Sequence, residues 1–465
     1  MRHLLSIILS VILLQCTAQS QDSLVIRSIY DEALEEGECY ENLRSLCKDI
    51  GARLTGSAEA EMAVQWGKQL LESYGFATRL QETPIPHWER GTLEAGWYVT
   101  ADGSIHKIKV LALGGSIGTD GMITAEGIEA RDIAHLKELG EAGQLKDKIV
   151  FINKPFDQKL INTFRAYGAC WPIRGHGAKE AARYGAKAVL IRSLATPIDD
   201  HPHTGSMYYE EGVPKIPGAA ISTQASEELH TAFQEGNVEL RIEMDCRSYP
   251  DKVSHNVIGE MKGSTYPDEI ITIGGHLDSW DVGEGAHDDG AGIVHCIEAM
   301  RILKGRGIKL KRTLRVVLYM NEENGAYGAE TYADKAIEAG EKHVFALESD
   351  AGGHTPRGFS LDGPPEKVEL MKSFQELLYP YGLNELEAGY GGVDIARLKN
   401  HYEGITLIGF RPDSQRYFNF HHSENDIFEN VNKRELELGA ASIATMVYLM
   451  DRYWEKKTIL EGGTR

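Results

Sequence analysis

Two rhythms of apolar and polar positions run along the chain. Residues 57–75 (SAEAEMAVQWGKQLLESYG) place apolar side chains at helical spacing, with Ser57 as the predicted N-cap and Gly75 as the stop. A strand-like run, 77–83, follows. Beyond residue 252, short runs rich in Val, Ile and Leu (270–274, 314–320, 344–347, 405–409) alternate with helical segments at 293–303, 367–378 and 435–454. Runs that are apolar on both faces predict a mostly parallel sheet covered by helices. Between 116 and 250 the character changes. Short β runs at 148–153 and 187–192 bracket one short predicted helix, 178–184, and a loop at 199–217 is rich in His, Pro, Gly and Tyr.

The length of 465 residues predicts two to three domains. Residues 1–18 read as an export signal: Arg2 and His3, an apolar run over 4–14, then Cys16-Thr17-Ala18 with cleavage after Ala18. That run is too short to span a bilayer, and no later segment is long and apolar enough to do so. A secreted or periplasmic protein is expected. Lipid attachment at Cys16 is the lesser reading, because Gln15 is a poor residue to precede a lipidated cysteine. The charge balance, 49 Lys+Arg against 69 Asp+Glu, gives a net charge of -20, a surface that repels phosphate backbones and excludes nucleic acid as the expected partner. The cysteines form no CxxC pair, which excludes a zinc ribbon or a thioredoxin motif. Cys39 and Cys47 lie two turns apart in a predicted helix, too distant to bridge, and Cys296 reads as a buried thiol. One disulfide stays open, and the sequence does not choose it.

In a parallel α/β sheet, ligands bind at the carboxyl ends of the strands, so the polar residues after each apolar run carry the chemistry. The run at 270–274 is followed by His276 and Asp278, then by Asp288 and Asp289 ten residues further on. After 314–320 come Asn321-Glu322-Glu323, and after 344–347 come Glu348-Ser349-Asp350. A later loop holds His421 and His422. Imidazole and carboxylate suit zinc, which takes such ligands at about 2.0–2.2 Å and keeps a position open for water. The ordered set predicts two zinc ions per chain, about 3.5–4 Å apart, sharing one carboxylate. Asp288 is assigned the bridge, His276 and Asp350 one ion, Glu323 and His422 the other. Glu322 fits the general base, and Asp278 a carboxylate that accepts the second ring N–H of His276.

Neighbouring residues take blander readings. His287 and His421 are expected to pack rather than ligate. His201 and His203 are expected at the surface or the substrate rim. Gly391-Gly392-Val393-Asp394 reads as a turn, since it lacks the Lys-Ser/Thr of a phosphate loop, and Asp394 is a candidate for binding a substrate amine. Asp426 is a candidate to orient His422. No Gly-x-Ser-x-Gly elbow supports serine hydrolysis.

This order of residues resembles the M28 family of co-catalytic zinc peptidases, and within it the carboxypeptidase Q-like branch. The stretches GGHLDSWDVGEGAHDDG (274–290), KRTLRVVLYMNEENGAYGAE (311–330), ALESDAGG (346–353) and FNFHHSENDI (418–427) carry the resemblance, with RGHGAKEAARYGAKAVLIRS (174–193) and HTGSMYYEEGVPKIP (203–217) outside the site. It implies a three-layer α/β/α phosphopeptidase-like sandwich with a mixed, mostly parallel sheet. It also implies an inserted β-rich protease-associated domain at 116–250, between catalytic segments 23–115 and 251–465. It implies the same five metal ligands, Glu322 as acid/base, a cis peptide bond after Asp288, export and a homodimer. The position of the insert, before His276, favours this family over M20-type deacylases. His287 and Asn425 depart from the family pattern, which puts fine specificity rather than metal binding in question.

The expected function is therefore an exported dinuclear zinc exopeptidase. It would hydrolyse dipeptides or short peptides with free termini, through a metal-bridging water and Glu322. Amino- and carboxy-terminal specificity both stay open. The competing readings are a metal-free receptor-like binding protein on the same fold, and a mono-zinc glutaminyl cyclase-like enzyme.

Overall fold

The computed structural model describes residues 21–455. The export signal and Cys16 lie outside the described residues. Two eight-stranded mixed sheets organise the chain. The first runs in the order Ala77–Glu89, Arg247–Met261, Arg312–Tyr319, Tyr266–His276, Lys342–Glu348, Thr406–Pro412, Pro356–Asp362, Glu385–Ala388. Its four central strands, Arg312–Tyr319 through Thr406–Pro412, are mutually parallel. These are the four apolar runs of the sequence. The outer strands add antiparallel pairs on both sides.

Side chains alternate between the two faces of this sheet, as the pleat requires. Ile271, Ile273, Val316, Leu318, Phe345 and Leu347 enter one core with the helices Ala58–Ser73, Ala291–Gly305 and Lys433–Tyr453. Val317, Tyr319, Ala346 and Leu407 enter a smaller core beneath the helix Tyr327–Glu338. The result is the expected α/β/α layering. Ser57 caps the first of these helices by accepting from Ala60 N–H, and Gly75 follows it with φ +71°, as its sequence required. The predicted helix 367–378 divides instead into Pro365–Lys372 and Gln375–Leu378.

The second sheet has the order Ile105–Ile108, Glu94–Val99, Glu239–Met244, Ile123–Ala130, Ile149–Ile152, Ala188–Arg192, Gly218–Ile221, Val110–Ala112. The pairing moves the start of the inserted unit. Strands at 94–112, grouped with the first catalytic segment on composition, belong to this sheet. Glu94–Val99 pairs along its whole length with Glu239–Met244, a contact between distant segments that no local pattern announces. The unit hangs from a two-stranded ribbon whose last pair is Glu89 and Arg247. It is less β-rich than expected, because the short helix placed at 178–184 is a 20-residue helix, Thr163–Ala182, containing Pro172. Gly177 in that helix sits so close to the sheet that an added Cβ would lie 2.7 Å from Ile152 Cδ1, so a residue of poor helix propensity serves packing.

All five described cysteines are buried free thiols. Cys39 lies in the helix Cys39–Ser45 and Cys47 in the π-helical turn Leu46–Ile50 that continues it.

A buried ion pair locks the two sheets together. Arg90, at the entry to the inserted unit, donates from Nε and Nη2 to Asp281 and from Nη1 to Glu94 and the Ala112 carbonyl. Asp281 lies in the loop after the strand Tyr266–His276. Asp281→Asn leaves the buried guanidinium short of charge and should cost roughly 3 kcal/mol of stability. Chemical denaturation checks this; an unchanged midpoint would show that the latch carries no load.

Candidate active site

The parallel register brings three strand ends level. His276 pairs with Tyr319, and Gly274 with Glu348. Asp350 follows the third strand, while Glu322 and Glu323 lie on a turn after the second. Asp288 sits in the irregular turn Ala286–Gly290 that opens the helix Ala291–Gly305, and the Asp288–Asp289 peptide bond is cis, as the resemblance implied. His422, with φ +62°, arrives from the loop after the strand Thr406–Pro412.

Asp288 is the hub. Its Oδ1 lies 3.2 Å from His276 Nε2, and its Oδ2 lies 3.1 Å from His422 Nε2. His276 Nε2 also faces Asp350 Oδ1 at 3.8 Å, and His422 Nε2 faces Glu323 Oε2 at 3.0 Å. The five residues assigned to metal thus converge, and Glu322 lines the same cavity, roughly 360 Å³ in volume. Burial opposes charge on the histidines, but carboxylates win. Asp288 and Asp350 hold the His276 imidazole well above its usual pKa, and Glu323 and Asp288 push His422 up to about 9. Burial would raise Asp288, yet His276 and His422 hold it well below the carboxylate range.

Asp278 does not act as assigned. His276 donates Nδ1–H to the Asp278 carbonyl at 2.9 Å, not to its carboxylate. The carboxylate instead accepts N–H from Asn321 at 2.8 Å, Glu322 at 3.1 Å and Glu323 at 3.3 Å, with Thr55 Oγ1 at 2.8 Å. It therefore caps the turn that presents both glutamates. Asp426 does not orient His422 either. It accepts N–H from His287 and Asp288, holding the backbone of the hub. His422 donates Nδ1–H to the Thr204 carbonyl at 3.2 Å.

His287 packs, stacked on His354 and Phe420, with Nδ1 accepting from Gly353 N–H. His421 stacks on His422 with centroids 3.5 Å apart, and its Nε2 lies 3.5 Å from Asp288 Oδ2. His201 pairs with Glu424 at the rim. His203, expected at the surface or the substrate rim, is buried and donates to the His421 carbonyl at 2.6 Å. The turn at 391–394 caps Glu348, whose carboxylate accepts from Val393 and Ile395 N–H at 2.7 and 2.9 Å. Asp394 is buried, and neither of its oxygens has a hydrogen-bond partner among the described residues.

The inserted unit supplies what the sequence reading missed. Besides the Thr204 carbonyl, Ser206 Oγ donates to the Glu323 carbonyl at 2.7 Å, and Thr204 N–H donates to the His422 carbonyl at 2.9 Å. Arg174, from the helix Thr163–Ala182, donates to the Thr204 carbonyl and to Tyr167 Oη. Its segment and that of 203–206 both carried the family resemblance, but nothing in their spacing gave them a role.

The family model for peptidase family M28 matches residues 256–447. Carboxypeptidase Q of Mus musculus is 36% identical over 420 residues, spanning 89% of this chain and 86% of that protein. The chain belongs to the M28 peptidase family. A crystal structure of an M28 peptidase precursor from Shewanella amazonensis matches this M28 chain with a TM-score of 0.88 and 32% identity, over 93% of this chain and 97% of that one. A zinc aminopeptidase from Bacillus subtilis shares the fold at TM-score 0.61 and 20% identity, over 88% of this chain and 94% of that one.

Asp278→Asn would turn one acceptor of this M28 site into a donor facing main-chain N–H groups. It should destabilise the protein by about 2–3 kcal/mol. Denaturant unfolding checks this, and a shift below the error of the measurement would remove Asp278 as the anchor of the glutamate turn.

Proposed function

We propose that this M28 peptidase is an exported dinuclear zinc exopeptidase acting on dipeptides and short peptides with free termini. One observation carries the reading: the two oxygens of Asp288 face two separate donor sets. His276 and Asp350 with Asp288 would hold one zinc, and Glu323 and His422 with Asp288 the other. His276, Asp288 and Asp350 offer ligand atoms within 4.8 Å of one another, as do Asp288, His421 and His422. Glu323 is preferred to His421 on the second ion because its Oε2 lies 3.0 Å from His422 Nε2 and its Oε1 is buried with no hydrogen-bond partner among the described residues. Donation of Nδ1–H by both histidines to backbone carbonyls leaves each Nε2 lone pair free for metal. The zinc named for the Bacillus subtilis neighbour supports the choice of ion.

Bound there, zinc supplies Lewis-acid polarisation of the scissile carbonyl and a lowered pKa for the attacking water. Glu322 accepts the proton of that water and delivers it to the leaving amine. In the metal-free site burial, opposed by His276 and reinforced by Asp350 and Glu323, holds its carboxyl well above the ordinary range; the charge of bound zinc would lower it and favour the carboxylate that a base needs. Asp278 fixes where Glu322 stands. Residues 90–246 form the inserted unit, which we assign as a protease-associated domain, and the signal-like residues 1–18 support export. A second copy of the chain is the candidate partner in a homodimer.

Glu322→Gln should bind two zinc ions per chain and lose about 10³-fold in kcat on unblocked dipeptides. Metal analysis and steady-state kinetics on one preparation check both halves. Wild-type turnover by the variant overturns the role of Glu322, and a wild-type stoichiometry of one zinc favours the cyclase-like chemistry instead.

A further inference from the structure

Most buried arginines of this protein hold a carboxylate. Arg90 has Asp281 and Glu94, Arg312 has Glu269 and Asp451, and Arg315 has Glu260 and Glu341. Arg53, fully buried, is satisfied by the carbonyls of Leu277, Glu284 and Gly285. Arg411 has neither arrangement. It is half-buried near the end of the strand Thr406–Pro412, in the wall shared by the active-site cavity and a second compartment of roughly 550 Å³. Phe164 and Tyr390 border both spaces with it, so the two lie side by side at this point.

The guanidinium is already aimed. Its Nε donates to Ser360 Oγ at 2.7 Å and its Nη2 to the Tyr390 carbonyl at 2.8 Å. Ser360 in turn donates to that same carbonyl at 2.6 Å, which stiffens the mount. These acceptors are neutral. Nη1 has no protein partner among the described residues, and Arg411 forms no ion pair there. Burial pulls its pKa down, and the carboxylates of Glu387, Glu348 and Asp350 do not restore it. A rigid, partly desolvated fork without a counter-ion is an anion receptor, and its planar geometry suits the two oxygens of a carboxylate. Arg174, the other cavity arginine lacking a carboxylate, has both terminal nitrogens committed to Thr204 and Tyr167.

We propose that Arg411 binds a carboxylate of the substrate at the junction of the two compartments. This rests on the peptidase reading of the cavity. A peptide offers such a group at its C-terminus or on an acidic side chain, and the two sources are separable.

The test compares wild type, Arg411→Met and Arg411→Lys on three substrates: a neutral dipeptide with a free C-terminus, its C-terminal amide, and the same amide with glutamate at one position. Arg411→Met should raise KM for a carboxylate-bearing substrate about ten-fold, the loss expected for one charge-assisted hydrogen-bonded pair, with kcat and the KM of the neutral amide unchanged. Arg411→Lys should recover part of the loss. An effect confined to the free acid assigns the terminus, and one confined to the glutamate amide assigns a side chain. Equal KM changes for all three substrates, or none for any, overturn the proposal. Calorimetric binding of the same peptides to zinc-loaded Glu322→Gln, with and without Arg411→Met, reads the interaction without turnover. Absent turnover with an intact ten-fold binding difference would sink the peptidase reading and keep the receptor. A thermal midpoint within error of wild type certifies each variant as folded.

Discussion

Carboxylates buried around one cavity must share positive charge, and this constraint organises the molecule. Asp288, Glu322, Glu323 and Asp350 line one cavity, the first and third buried and the other two half-buried, with Glu348 beside them. Without cations, the site draws charge from protons: neighbouring carboxylates lift His276 well above its ordinary pKa and His422 to about 9, and burial with like charges lifts Glu322 above the carboxylate range. The same shifts describe what a metal pair would replace. Two dications in contact with Asp288 would neutralise the carboxylates directly and set both imidazoles free to ligate, with protons released as they enter. A site built mainly for stability would not gather so many like charges. Replacing such a cluster with apolar residues is ordinarily neutral or stabilising, so its retention points to use.

How legible this was from sequence depends on the range of the interaction involved. The four central strands were plain because each is apolar on both faces, a property of consecutive residues. Their carboxyl ends then named His276, Asp288, Glu322, Glu323 and Asp350, and the sheet register brings these together. Partners were harder. For Asp278 the carboxylate was named as the acceptor where the carbonyl takes the His276 N–H, because sequence spacing cannot tell a carboxylate from its own carbonyl as the atom beneath a histidine ring. Asp426 and His203 failed in the same way: each serves the main chain of a ligand-bearing segment, and main-chain contacts leave no residue-type signature. The start of the inserted unit was misplaced because a strand such as Glu94–Val99 carries the alternation of any half-buried strand, and only its distant partner Glu239–Met244 reveals its sheet.

The two halves of the site have different origins. His276 ends one strand of the catalytic sheet and Asp350 follows another. Glu323 and His422 are both tied to residues 203–206 of that unit, through Ser206 on one carbonyl and a reciprocal pair between Thr204 and His422 on the other. The unit meets His422 through the Thr204 main chain, so on its own side these contacts demand particular residues only at Ser206 and at Gly205. Gly205 adopts φ +130°, and an added Cβ would lie 2.4 Å from the Arg174 guanidinium. A glycine is required there because the strand of contact must pass between an arginine and a histidine.

It follows that docking of the inserted unit and assembly of the second half of the site are one event. The Arg90–Asp281 latch joins the entry of the unit to the loop that follows His276, so the same interface that seats residues 203–206 also steadies the first half. The density of buried contacts at its active-site edge argues that the bound position is the one in which the cavity is complete. The fold therefore uses the catalytic sheet to place charge and the inserted unit to aim it.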